Sequence, residues 1–284
     1  MNIQTVGVVG AGLMGHGIAQ MAAKGGYQVI LADISENELQ KGYKQIENNL
    51  NKDVQKGKVT EQQAQELLNR ISITLDLTDL KNCDAIIESI PEIMELKKHL
   101  FTTLDAIVKN DAILITNTSQ LSITEMASVT SRPQNFVGMH FFYPASIMKL
   151  VEIPVGEHTC EACIQAVVEL GRHMGKETCV CKDTPGFIVN RILAGLLVEA
   201  SRVYDENLAS VEEIDKAIRF GLGHPMGPFQ LFDMSGIDTI LKAADGLRAT
   251  LGDRFLMGVG VRNKVRAGDF GQKTGRGFYN YKAD

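Results

Sequence analysis

A doubly wound α/β domain followed by a smaller all-helical one is the fold class this sequence predicts, and three observations carry the prediction. Residues 6–33 read as strand, glycine turn, helix, strand and acid in unbroken order. Short apolar runs and helical patterns then alternate as far as Val155, which argues for a mostly parallel sheet. After the turn-rich stretch Lys182-Asp183-Thr184-Pro185-Gly186 every remaining segment reads as helix, which divides the chain into residues 1–184 and residues 185–284.

Val6-Gly7-Val8-Val9 is an apolar strand that runs directly into Gly10-Ala11-Gly12-Leu13-Met14-Gly15, and a helical pattern follows through Lys24. Gly10 permits the tight turn, Gly12 lets a diphosphate approach the backbone, and Gly15 lets helix and strand pack closely. The helix N-terminus presents unpaired N–H groups and the positive end of its dipole to an anion. Asp33 ends the second strand, eighteen positions after Gly15, where an acid hydrogen-bonds a ribose 2′-hydroxyl and repels a 2′-phosphate. The unit is a Rossmann-type dinucleotide site with NAD favoured over NADP. Its candidate residues are Gly10, Gly12, Leu13, Met14, Gly15 and Asp33.

Residues 36–56 and 61–70 read as two helices joined by Gly57-Lys58-Val59-Thr60, a helical pair inserted into the sheet. Further strands are expected at 71–74, 85–88, 112–116, 136–140 and 150–155, with a crossover helix at 96–108. In the second domain, residues 187–203 are apolar nearly all round, interrupted by Asn190, Arg191 and Glu199, so this helix is expected to be buried on several sides. A domain of about one hundred residues rarely covers such a helix alone, and a homodimer built on this region is the expectation.

With 44% hydrophobic and 22% charged residues the composition is that of an ordinary globular protein. The net charge of −5 offers no global attraction to nucleic acid or an anionic membrane, so a polyanionic ligand has to meet a local basic cluster. No apolar stretch approaches the roughly 18 residues of a membrane span, and no basic segment leads into a signal-peptide core. A cytoplasmic location is expected. The five cysteines, an odd number, agree with a reducing compartment. Cys160, Cys163, Cys179 and Cys181 lie near His158 and His173, which raises a zinc site as an alternative. The first pair opens a helical pattern and the second lies on a strand, not the two knuckles a structural zinc site takes, so the thiols are read as small apolar side chains and no metal is expected.

Chemistry gathers where strands end. Asn117-Thr118-Ser119 closes one apolar strand, His140 lies at the end of another, and Glu152 sits within a third. A lone histidine beside an apolar run is usually a core residue, and a lone strand glutamate is usually solvated. Together they read differently, because a loop over residues 143–149 returns the chain and lets Glu152 meet the imidazole. Oxidising a secondary alcohol with NAD needs a base for the hydroxyl proton, and a histidine oriented by a carboxylate suits that work in both directions. Ser119 is placed to donate to the alcohol or ketone oxygen. Asn190, polar in an apolar helix, contacts either substrate or His140, or else makes a structural hydrogen bond.

These segments resemble the L-3-hydroxyacyl-CoA dehydrogenase family and, by compact length, its bacterial 3-hydroxybutyryl-CoA dehydrogenases. The resemblance rests on GAGLMGHGIAQ from Gly10, PEIMELK from Pro91, NTS from Asn117, GMHFFYP from Gly138, KLVEI from Lys149, DTPGFIVNR from Asp183, HPMGPFQLFD from His224 and KTGRGFY from Lys273. It implies reversible oxidation of a (3S)-3-hydroxyacyl-CoA with NAD, His140 as acid/base, Glu152 as its orienting partner, and Ser119 and Asn190 as contacts of substrate and His140. It also implies NAD contacts for Asp33, Glu92, Lys97 and Asn117, and a helical C-terminal dimerisation domain. Lys52 and Lys56, four apart and on one helical face with Lys58 beyond, would meet the CoA phosphates. The plain alternative is a solvated face. Tyr143 stands where the family usually has Asn, and Gln120 where Ser or Thr is common; both bear on the pocket wall beside the thioester. A dehydrogenase of a free hydroxy acid and a noncatalytic NAD-binding protein on this scaffold remain the rival readings.

Overall fold

The computed structural model describes residues 1–281. The chain divides into two compact units, Met1–Phe187 and a second beginning at Ile188.

The first unit opens with β1 (Thr5–Val9), α1 (Gly15–Lys24), β2 (Gln28–Ala32), α2 (Glu36–Gln55), α3 (Glu61–Leu68) and β3 (Ile71–Thr74). It continues with β4 (Ala85–Glu88), α4 (Met94–Ile107), β5 (Ile113–Thr116), α5 (Ile123–Ala127) and β6 (Phe136–Gly138). The six strands pair in the order β3-β2-β1-β4-β5-β6, every pair parallel. β4 and β5 are buried along their whole length, which is why Ala85-Ile86-Ile87 and Ile113-Leu114-Ile115 are continuous apolar runs with no alternation. Strand order reverses between β1 and β4, so the crevice beyond the carboxyl ends of these strands is where such a sheet receives ligands. Ser35 caps α2 by accepting from the Glu38 N–H. Thr60 and Gln63 form a capping box on α3, which accounts for the break expected at 57–60.

The single strand expected at 136–140 is divided. β6 stays in the six-stranded sheet, whereas β7 (His140–Phe141) starts a second sheet with β8 (Leu150–Val155) and β9 (Glu177–Lys182), ordered β7-β8-β9. The handover occurs where the backbone is crowded: a Cβ on Gly138 would lie 2.3 Å from Pro154 Cγ. Beyond that point the Met139 N–H bonds to the Thr116 carbonyl and the Phe141 N–H to Asn117 Oδ1. β7 and β8 run antiparallel and β8 and β9 parallel, with α6 (Glu161–His173) connecting the last two.

The second unit contains α7 (Val189–Asp205), α8 (Val211–Gly221), α9 (Pro228–Ser235), α10 (Ile237–Leu251) and α11 (Val259–Arg266) around a core that includes Phe229, Phe232, Ile237 and Val261. The helix expected from residue 187 starts two residues later. Phe187 has φ of 46°, a left-handed conformation that no α-helix accommodates, and it belongs to the first unit. Within its own unit α7 buries Ala194, Leu197, Val198, Ala200 and Ser201, while Ile192 is exposed, so burial on several sides is not what this unit provides. Two buried aspartates organise the unit. Asp215 accepts from the Phe229 and Gln230 N–H groups and the Tyr279 hydroxyl, and Asp233 accepts from the Phe278 and Tyr279 N–H groups. Among the described residues no helix is long and apolar enough to cross a membrane.

Candidate active site

The glycine turn has the shape a diphosphate needs. Gly10 has φ of 101°, and a Cβ on Gly15 would lie 1.7 Å from the Gly10 carbonyl oxygen, so neither position accepts a side chain. A Cβ on Gly12 would meet nothing within 4 Å, and α1 has no side-chain cap, which leaves a bare backbone surface at the positive end of a helix. Leu13 is exposed and Met14 occupies the N-cap position. Asp33 accepts from the Ala11 N–H at 2.8 Å and the Ser35 N–H at 2.9 Å, which fixes its carboxylate beside the turn at the end of β2. These residues fit a dinucleotide.

The ends of β4 and β5 hold a charge network. Lys97 on α4 is fully buried, with its ammonium 2.6 Å from Glu88 and 3.3 Å from Glu92. Glu88, also fully buried, accepts from the Thr116 hydroxyl and the Ile90 N–H. Glu92 accepts from the Thr118 hydroxyl and from the Ser119 and Gln120 N–H groups. Ser119 is exposed at this turn. Asn117 donates to Ser89 Oγ and accepts from the Phe141 N–H, so its amide ties the six-stranded sheet to the strand that carries His140.

His140 and Glu152 face each other in the β7–β8 register, and Nδ1 lies 2.8 Å from Glu152 Oε2. Both side chains are buried. The carboxylate accepts a hydrogen bond from Nδ1–H, which leaves Nε2 as the acceptor of the neutral ring. Phe142 and Phe187 lie against the imidazole, their ring centroids at 4.6 and 5.6 Å. The return loop between β7 and β8 is held by buried Lys176, whose ammonium donates to the Ala145 and Met148 carbonyls. Burial first, and then the charge of Lys24, pull Lys176 below the usual lysine range. Tyr143 is exposed on this loop. The Cys181 thiol is pushed up to about 12, chiefly by burial and next by the negative charge of Glu152.

Lys52, in the last turn of α2, and Lys56, just past its end, are exposed and border a groove of about 550 Å³ between the inserted helices, α1 and the return loop. Lys24, Lys58 and Arg70 also line it, against Asp53 and Glu66, so the groove is net basic on an acidic protein. Asn190 stands in the first turn of α7, in the second unit. The cysteine pairs fall at the start of α6 and along β9, and among the described residues no group of three or more His, Cys, Asp or Glu is arranged to hold a metal.

Sequence reasoning missed Glu88 and Phe187. An acid closing the apolar run Ala85-Ile86-Ile87 was a usable signal for Glu88, since a charge there is either paired or solvated. Phe187 reads as helical because its apolar side chain fits the helical period.

A family model described as 3-hydroxyacyl-CoA dehydrogenase, NAD binding domain, matches residues 5–184, and one described as 3-hydroxyacyl-CoA dehydrogenase, C-terminal domain, matches residues 186–281. The chain is 42% identical over 283 residues to a probable 3-hydroxybutyryl-CoA dehydrogenase of Bacillus subtilis, covering 99% of each chain. It is 39% identical to the mitochondrial hydroxyacyl-coenzyme A dehydrogenase of Homo sapiens, covering 99% of this chain and 92% of that one. The crystal structure of (S)-3-hydroxybutyryl-CoA dehydrogenase from Ralstonia eutropha superposes with a TM-score of 0.97 at 42% identity, over 99% of this chain and 100% of the other.

Proposed function

The chain belongs to the 3-hydroxyacyl-CoA dehydrogenase family, and from that premise we propose how its own side chains carry the reaction. The reaction is the NAD-dependent interconversion of a 3-hydroxyacyl-CoA and the corresponding 3-ketoacyl-CoA. Bound NAD supplies the hydride acceptor for the substrate carbon. His140 Nε2 takes the hydroxyl proton in oxidation and returns it in reduction, while Glu152 holds the tautomer and stabilises the charged ring. Ser119 donates to the substrate oxygen, and Asn190 is a second polar contact of substrate and His140. Gly10, Gly12, Leu13, Met14 and Gly15 line the diphosphate turn, Asp33 takes the ribose, and Glu92 and Asn117 meet the far end of the cofactor; Lys97 is fully buried, so it acts there through Glu92 and not by the direct NAD contact the resemblance implies. The observation that carries this reading is the buried 2.8 Å pair of His140 and Glu152.

Lys52 and Lys56 meet the CoA phosphates in this reading, supported by the basic groove they border. The preferred substrate is short-chain, such as (3S)-3-hydroxybutyryl-CoA, in keeping with the names of the bacterial relatives. NADH oxidation with acetoacetyl-CoA, longer 3-ketoacyl-CoAs and free acetoacetate tests the assignment, with the first expected to turn over fastest. Activity confined to the free acid overturns it. The assembly we propose is a cytoplasmic homodimer through the helical unit, supported by the exposed apolar side chains Ile192, Leu208, Phe220 and Leu222 and by the five free thiols. Sedimentation of Phe220→Asp as a monomer, with the parent as a dimer, is the expected result.

A further inference from the structure

Glu88 has no part in proton transfer and no solvent access, yet it sits one strand from the catalytic turn. Its value lies in what it holds. A lysine ammonium has three hydrogens, and around Lys97 Nζ stand three oxygens: Glu88 Oε1 at 2.6 Å, Glu92 Oε2 at 3.3 Å and the Ile90 carbonyl at 3.4 Å. Glu88 is anchored in turn by the Ile90 N–H at 2.7 Å and the Thr116 hydroxyl at 2.7 Å. The cation is therefore locked from below and offers its remaining side to Glu92.

Glu92 divides its two oxygens. Oε2 faces Lys97, while Oε1 accepts from the Thr118 hydroxyl at 2.6 Å, the Ser119 N–H at 2.8 Å and the Gln120 N–H at 3.3 Å. Thr118 Oγ1 also accepts from the Leu121 N–H, so one carboxylate gathers the whole turn. The Glu92 side chain is a third exposed. Without the buried cation its charged head gains more from water than from a turn of neutral donors.

We propose that Glu88 and Lys97 are a positioning pair that acts through Glu92 to set the turn carrying Ser119. The pair links the end of β4 to the end of β5 by charge, not by packing. This rests on the reading of Ser119 as a substrate contact.

Two measurements test it. Hydrogen exchange of the 118–121 amides, with no NAD present, is compared between the parent, Glu92→Gln and the charge-free Glu88→Gln/Lys97→Met, which leaves no unpaired charge in the core and so keeps the fold. Protection of this turn is expected to fall by about tenfold in both variants while the strands are unchanged. Turnover of acetoacetyl-CoA at saturating NADH, which keeps any weakening of cofactor binding through Glu92 out of kcat, is then measured for Glu88→Gln/Lys97→Met in the parent and in a Ser119→Ala background. A positioning role predicts a loss of about tenfold in kcat in the parent and almost none once Ser119 is gone. Unchanged turn protection, or equal losses in both backgrounds, overturns the proposal. Parent-like kcat in Ser119→Ala alone overturns the Ser119 reading instead, and the exchange result still decides whether the pair sets the turn.

Discussion

Two strands of this molecule carry a buried carboxylate, Glu152 within β8 and Glu88 at the end of β4, and each holds a nitrogen. Glu152 holds His140 at 2.8 Å in the three-stranded sheet; Glu88 holds Lys97 at 2.6 Å at the edge of the ligand crevice. The geometry is nearly the same and the chemistry differs, because an imidazole ordinarily changes charge near neutrality and an ammonium does not. In the mechanism proposed above the first pair moves a proton, whereas the second only places other groups. A short buried contact to a carboxylate therefore says little until the titration range of its partner is considered.

The largest expected effect separates the two roles. His140→Ala lowers turnover by about 10²- to 10⁴-fold, the loss typical of a missing general acid/base, with NADH affinity near that of the parent. Steady-state kinetics beside a fluorescence titration of NADH decide it; near-normal turnover in the folded variant breaks the comparison on the catalytic side. The next effect belongs to the other pair. Lys97→Met leaves the buried Glu88 carboxylate without its counter-cation, which costs about 3–5 kcal/mol in denaturant unfolding, and adding Glu88→Gln recovers most of it. Equal stability of the single and double variants means that the pair is not what holds this corner.

A third test sets buried Lys97 against exposed Lys52 and Lys56. Changing both exposed lysines to alanine raises the KM for acetoacetyl-CoA severalfold, roughly the scale of two screened surface contacts, and leaves a thioester lacking the nucleotide almost unaffected. Added salt imitates the double variant in the parent. Equal effects on both thioesters reduce this face to a solvated surface.

The smallest effect uses Cys181 as a reporter of Glu152. The thiols of Cys83, Cys163 and Cys181 are all pushed up to about 12, with burial the first cause at each. Since unfolded thiols ionise near pH 8.5, the folded state binds more protons between that pH and about 12, and stability is lost as pH rises through this window. Denaturant unfolding at pH 8 and pH 10 should show the fall. Glu152→Gln removes one of the charges that oppose Cys181 ionisation, so alkylation of Cys181 at pH 9 should quicken, by less than about threefold because burial dominates. A rate that does not move places Glu152 too far from the thiol to matter.

The site was partly legible. Asp33 beside the glycine turn, and the meeting of His140 with Glu152 across a return loop, follow from strand ends and loop length, and both contacts are present. The break at 136–140 was not legible, because Gly138-Met139-His140 keeps an apolar strand pattern while crowding against Pro154 turns the chain into another sheet. Phe187 deceived for a similar reason: its side chain obeys the helical period while its backbone is left-handed. For Lys97 the resemblance implies an NAD contact, and only the structure places its ammonium, fully buried, against Glu88.

What the sequence determined by itself is what acts over a few residues: the glycine turn and its acid, the capped inserted helices, the buried parallel strands and the change to helices after Lys182. Hydrogen bonding, capping and apolar periodicity are local forces, so they leave local traces. The tertiary structure decided which charges meet. Glu88 finds Lys97 and Glu92 gathers the Ser119 turn because strand order puts the ends of β4 and β5 side by side, and Asn117 ties the His140 strand of the second sheet to the first. Those pairings depend on which strands become neighbours across distant parts of the chain, and no local period in the sequence encodes that choice.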